Sequence, residues 1–173
     1  MVDIKVKTGD RETSVPKEQI TEAIKEAYSK KIALILEPYK VPRRHPKYDW
    51  MLVETYEEFI KFIEGYYKLH SSLPALISFS HNLTAEHDKA DASRSLSSPI
   101  FYSGYKTKTG KDAAEWLVKF CKSNNALLDS LVAIHAEMDK HISNIEYLIN
   151  ECKKQQGLKD LAFKMKWEWK ESQ

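Results

Sequence analysis

Leu76-Ile-Ser-Phe-Ser-His-Asn-Leu83 decides how this chain reads. Its first four residues have the character of a strand covered on both faces, and they run without a break into the polar triplet Ser80-His81-Asn82. In an open α/β sheet the residues just past a strand's carboxyl end line the ligand crevice. A histidine between two small oxygen-bearing side chains at that place is a candidate site.

The neighbouring segments supply the rest of such a sheet. Lys31-Ile-Ala-Leu-Ile-Leu36 is a second continuous apolar run, Trp50–Val53 a short strand, and Leu131–Ile134 a third buried strand. Helices alternate with them. Thr55 and Glu58 have the spacing of a capping box before the stripe Tyr56, Phe59, Ile60, Ile63, Tyr67. Thr109 and Asp112 open a helix that turns Ala113, Trp116, Leu117 and Phe120 inward, and Ile142, Ile145, Leu148, Ile149 and Cys152 mark another. From Leu161 to Lys170 the pattern switches to period two, with Leu161, Phe163, Met165, Trp167 and Trp169 on one side, which predicts an edge strand. Residues 1–30 form a separate extension: strands Ile4–Thr8 and Arg11–Val15 around Gly9-Asp10, then a helix from Pro16. The expected fold is therefore α/β, a single domain over 31–173 with a mostly parallel sheet and helices on both faces. Residues 84–108 lack clear periodicity, and a stretch of about 25 such residues is commonly a lid or a binding loop.

In a parallel sheet the strand ends gather on one edge. Glu37 and Lys40 follow the first strand, Ser80, His81 and Asn82 the central one, and His135 the strand after that, with Glu86, His87, Thr109 and Asp112 near the same rim. Imidazoles and carboxylates together suit a divalent metal, with Glu37 and Asp112 as its carboxylates, or an acid–base pair acting on a phosphate through His81, His135 and His87. A structural hydrogen-bonding role for each histidine, and a capping role for Asp112, stand beside that reading. Lys40, Arg43, Arg44, His45 and Lys47 make the loop after the first strand cationic. Such a run is either a solvated face or a phosphate clamp.

The totals narrow the classes. With 173 residues, 20.1 kDa, 42% hydrophobic and 30% charged residues, the chain can bury a full core. A net charge of +2 does not mark a nucleic-acid binder. No run approaches the roughly 18 apolar residues of a membrane span, and residues 1–7 lack a signal-peptide core. Cys121 and Cys152 fall on apolar helix faces as free thiols, so a cytoplasmic protein is expected.

These residues together resemble the cyclic-phosphate-processing receiver-like family, a branch of the response-regulator receiver fold. The likeness is carried by Leu36-Glu-Pro-Tyr-Lys-Val-Pro42, Ile77-Ser-Phe-Ser-His-Asn-Leu83, Glu86-His87, Thr109-Gly-Lys-Asp112 with Ala114-Glu-Trp-Leu-Val118, Ile134-His-Ala136 and Asn144-Ile145. It implies a receiver-like (Rossmannoid) fold and a crevice that meets cyclic-phosphate ends such as 2′,3′-cyclic phosphates of RNA. Lys40, Arg43, Arg44, Ser80, Asn82, Thr109 and Asn144 are the ligand-binding positions it points to. This chain departs from the family where charge matters: Pro38 replaces one acid of a pair, Ser80 and Asn82 replace two aspartates, and Lys40 replaces an arginine.

A crevice stripped of those aspartates should hold Mg²⁺ weakly, and Ser80 cannot carry a phosphoryl group as an aspartate does. No cofactor is singled out, and a divalent metal bound here would be held weakly. The leading expectation is a degenerate receiver-like domain that binds an anionic or nucleotide phosphate ligand, or a protein partner, without fast turnover. An active cyclic-phosphate phosphoesterase using histidine acid–base chemistry is the second. A phage-encoded inhibitor or interaction protein that docks through 84–108 is the third.

Overall fold

The computed structural model describes residues 3–8, 11–16, 31–40, 48–93, 104–136 and 138–165. The chain forms two compact units, Met1–Lys31 and Ile32–Gln173. In the first, β1 (Asp3–Thr8) and β2 (Arg11–Pro16) make an antiparallel hairpin whose register runs from Asp3↔Pro16 to Thr8↔Arg11. The helix expected after Pro16 lies outside the described residues.

The second unit is an α/β domain. Its strands are β3 (Lys31–Leu36), β4 (Tyr48–Val53), β5 (Leu76–Phe79), β6 (Leu131–Ile134) and β7 (Phe163–Lys164). Its described helices are α1 (Tyr56–His70), α2 (Ala85–Ala92), α3 (Gly110–Asn124) and α4 (Asp139–Gln155). The strands form one parallel five-stranded sheet in the order β4-β3-β5-β6-β7. Counted within the domain this is 2-1-3-4-5, a doubly wound order whose switch point, and hence whose crevice, falls between β3 and β5.

The continuous apolar runs are buried on both faces, as their composition requires: Ala33, Leu34, Ile35 and Leu36 are all inaccessible. Leu34, Leu36, Ile77, Phe79, Val132 and Ile134 join Phe59 and Ile63 of α1, Leu117 and Cys121 of α3, and Ile145 and Ile149 of α4 in one core. Phe59 sits 5.4 Å from Phe79 and meets Trp116 edge-on at 6.3 Å. Burying such a ring stabilises the fold by roughly 1.5–3 kcal/mol. Cys121 and Cys152 are free and buried, and burial pushes the Cys121 thiol up to about 12. No helix among the described residues is long and apolar enough to cross a membrane.

Three local expectations are corrected. Residues 85–92, expected as irregular chain, form α2. Its sequence, Ala-Glu-His-Asp-Lys-Ala-Asp-Ala, has no apolar stripe, and its one buried residue is His87, so periodicity could not reveal it. The C-terminal alternation expected from Leu161 does not hold over the described residues. Ala162 is buried while Leu161 and Phe163 are 43% and 39% exposed, because Ala162 docks on α4 and donates its N–H to Asn150 Oδ1 at 2.7 Å. Third, Glu58 does not complete a capping box with Thr55: it accepts from the N–H of Glu54 at 2.8 Å, while Thr55 Oγ1 accepts from the N–H of Glu58 at 3.2 Å.

Candidate functional site

The parallel register sets Leu36 beside Phe79 and Phe79 beside Ile134, so three strands end at one level. The ladder extends one residue further: Ser80 N–H donates to Leu36 O at 3.0 Å and His135 N–H to Phe79 O at 2.9 Å. Glu37, Ser80 and His135 are thereby held by backbone bonds at the sheet's carboxyl edge. They border a crevice of about 900 Å³ with Lys40, His81, Asn82, Asp88, Asp91, His141 and Lys164 among its walls. Gly110 packs against the backbone of the triplet, donating its N–H to His81 O at 2.8 Å.

His135 is engaged at both nitrogens. Nε2 lies 3.1 Å from Glu37 Oε2 and Nδ1 lies 2.7 Å from Ser78 Oγ. Burial pushes the imidazole down, outweighing the pull of Glu37, so the ring is neutral. Burial pushes the Glu37 carboxyl up, but the bonds from His135 and the Tyr39 N–H outweigh that and hold it low. An ionised carboxylate only accepts, so Nε2 carries the proton and Nδ1 accepts from the Ser78 hydroxyl. Serine, histidine and glutamate thus stand in line. The serine is fully buried within β5, so the line braces three strands and presents no nucleophile.

A second relay runs through the triplet. Asn82 Nδ2 donates to Asp88 Oδ1 at 3.0 Å and to Asp91 Oδ2 at 2.8 Å. Two carboxylates on the amide nitrogen turn the amide oxygen toward His81, whose Nδ1 is 2.7 Å from Asn82 Oδ1. Nδ1 must then be the donor, and the lone pair of neutral His81 lies on Nε2. Burial first, and then the neighbouring His141, pushes His81 down to about 3. The His81 and His141 rings stack with centroids 3.4 Å apart and planes 17° apart, and His141 Nε2 lies 3.4 Å from Asp91 Oδ1.

Several expected site residues serve elsewhere. His87 Nδ1 accepts from Leu83 N–H at 3.0 Å, and its Nε2 meets Thr107 Oγ1 at 3.0 Å, so it ties α2 to the segment before α3. Glu86 binds that same segment through Lys106 N–H and Thr107 Oγ1, both at 3.1 Å. Asp112 and Thr109 make a true capping box: Asp112 Oδ2 accepts from Thr109 N–H at 2.8 Å and Thr109 Oγ1 at 2.9 Å, and Oδ1 pairs with Lys108 at 3.2 Å. Asp112 therefore does not join Glu37 in a metal pair: its Oδ2 is engaged in the cap and its Oδ1 by Lys108. Asn144 lies one turn beyond His141 on α4 and is absent from the crevice wall. Arg43 and Arg44 lie outside the described residues. Lys40, Ser80, Asn82, His81, His135 and Glu37 do meet in the crevice.

Sequence reading does not single out Asp88, Asp91 and His141. Asp88 and Asp91 sit in the polar stretch that hides α2. His141 carries a faint signal, since it leads the inward stripe continued by Ile145, Ile149 and Cys152. Their presence corrects the expectation of a crevice drained of negative charge. Two carboxylates of α2, Asp88 and Asp91, stand in the crevice wall, both held by the Asn82 amide.

No protein-family model, curated protein or solved structure matches the chain.

Proposed function

We propose that the domain binds a phosphate-bearing small molecule or nucleotide end in the strand-edge crevice and does not turn it over rapidly. The observation that carries this reading is the engagement of His135 at both nitrogens, within a crevice at the switch point of a doubly wound sheet. An acid–base pair needs one imidazole that can take a proton and another that can give one. His135 holds its proton for Glu37, and His81 stays neutral to about pH 3, so neither is poised for proton transfer near neutrality. Lys40 lines the same wall and supplies cationic charge for an anion. The family resemblance makes a 2′,3′-cyclic phosphate the ligand class to try first.

Calorimetric titration with a nucleoside 2′,3′-cyclic phosphate tests it. Saturable binding is expected, weakened about tenfold or more by Lys40→Ala, since a charge-assisted hydrogen bond contributes roughly 1.5–3 kcal/mol. No hydrolysis above buffer should accompany it. Hydrolysis that His81→Ala abolishes would establish the phosphoesterase reading instead, and the absence of binding would remove both.

A further inference from the structure

We propose that His81, Asp91 and His141 form a site for a borderline divalent cation of the zinc class, with a coordination position open to the crevice. The assignment goes beyond the anion-binding reading and does not rest on it. The ligand atoms of the three residues all lie within 4.8 Å of one another. They come from three separate elements: the end of β5, α2 and α4. Two nitrogens and one carboxylate oxygen are a donor set that zinc accepts and that hard cations such as Mg²⁺ disfavour.

The surrounding bonds orient the donors as a metal site requires. A metal-binding histidine usually donates its second ring N–H to a carbonyl or carboxylate, which settles both tautomer and ring orientation. His81 does this through Nδ1 to Asn82 Oδ1, with Asp88 and Asp91 holding the amide behind it. The lone pair is left on Nε2, the nitrogen with which His81 would meet a cation. Asp91 divides its two oxygens between roles: Oδ2 orients Asn82, while Oδ1 is shut off from solvent without a hydrogen bond and faces His141 Nε2 at 3.4 Å. A buried carboxylate oxygen in that state costs free energy that a cation would offset. Glu37 is excluded as the pair's anchor because its oxygens already accept from His135 and Tyr39.

Loading also implies a movement. Near-parallel rings 17° apart cannot both aim an in-plane lone pair at one ion, so His81 and His141 must splay. His141 shares the crevice wall with Met138 and Met165.

The test uses full-length protein freed of metal by chelation, titrated with Zn²⁺ alone and, separately, with Co²⁺. One equivalent of Zn²⁺ should bind, and Co²⁺ should develop visible d–d bands of a nitrogen–oxygen site. Asp91→Asn, which keeps the side chain's shape, and His141→Gln should each weaken Zn²⁺ by more than about 100-fold, while Asn82→Ala should weaken it about 10- to 100-fold. Circular dichroism and thermal melting of each variant establish that it is folded. Zinc binding left unchanged by Asp91→Asn and by His141→Gln would overturn the assignment, and so would tighter binding of Mg²⁺ than of Zn²⁺. Wild-type protein that takes up neither Zn²⁺ nor Co²⁺ would overturn it as well. Cyclic-phosphate binding measured with a chelator present reports on the anion reading separately.

Discussion

Asn82 Oδ1 accepts a hydrogen bond from His81 Nδ1 at 2.7 Å, and the same amide gives its two N–H bonds to Asp88 and Asp91. One side chain therefore neutralises the contact between two carboxylates and sets the tautomer of the crevice histidine. A carboxylate could accept from His81 but could donate nothing to Asp88 and Asp91, which makes the asparagine at this position a fitted part of the site.

An acid at position 82 should do harm. Asn82→Asp sets a third carboxylate against Asp88 and Asp91 and removes both donated bonds. A loss of about 2 kcal/mol or more at neutral pH is expected, because unpaired buried polar groups and like charges both cost. The crowded acid would have a raised pKa in the folded state, so the deficit should shrink as pH falls. Urea midpoints at several pH values measure this, and a variant as stable as the parent at pH 7 would contradict it.

The histidines give stability a pH dependence of definite sign. His81 titrates at about 3 in the fold against 6.5 ordinarily, and His135 is lowered too. The unfolded chain then takes up protons first, so stability falls as pH drops from about 6.5 toward about 3. Glu37 and Asp112, also lowered, from ordinary values of 4.5 and 3.8, add their own loss only below about 4.5. Between pH 4.5 and 6.5 the slope belongs to the histidines, at up to about 1.4 kcal/mol per pH unit for each one. Denaturation across that interval should show the slope, and His81→Gln should flatten it; a parent protein with level stability there rules the account out.

Gly110 has no room for a side chain. A Cβ there would lie 1.7 Å from Ser80 O and 3.1 Å from His81 Cα. Both atoms are backbone, so relief requires the triplet or the start of α3 to move. Gly110→Ala is expected to cost about 3 kcal/mol or more and to displace His81. Thermal melting together with the imidazole NMR shifts of His81 would detect it, and an unchanged spectrum would exclude the contact.

Removing the centre of the buried line should cost more than removing its end. His135→Ala strands the Glu37 carboxylate and the Ser78 hydroxyl together, for an expected loss of about 2–3 kcal/mol, against roughly 1 kcal/mol for Ser78→Ala. Chemical denaturation of both single variants and the double variant gives the coupling. A double-variant loss equal to the sum of the two single losses would show that the line carries no shared energy.

Patterned burial is readable from the chain. Continuous apolar runs such as Ile32–Leu36 and Leu76–Phe79 announce strands, and the stripes over Phe59–Ile63 and Ile142–Cys152 announce helices, because a long-period repetition survives any local detail. The triplet and His135 are legible for the same reason: a strand's end is visible in sequence. α2 is not, since its stability comes from His87 and Glu86 clamping onto Lys106 and Thr107 some twenty residues away. The register of Leu161–Phe163 escapes the alternation rule because docking of one small residue, Ala162, overrides an alternation of larger ones.

The sequence by itself determined the alternating strands and helices, and with them the edge at which Glu37, His81 and His135 would gather. Tertiary structure alone decided which partners each met. His87 was drawn into a clamp on Thr107, whereas the Asp112 cap, a contact within one turn, was already among the sequence readings. Asp91 and His141, far apart in the chain, were brought to His81 instead. Hydrophobic periodicity is a sum over many residues and is written along the chain, whereas a hydrogen bond or a ligand position depends on ångström-scale placement that exists only once the elements have packed.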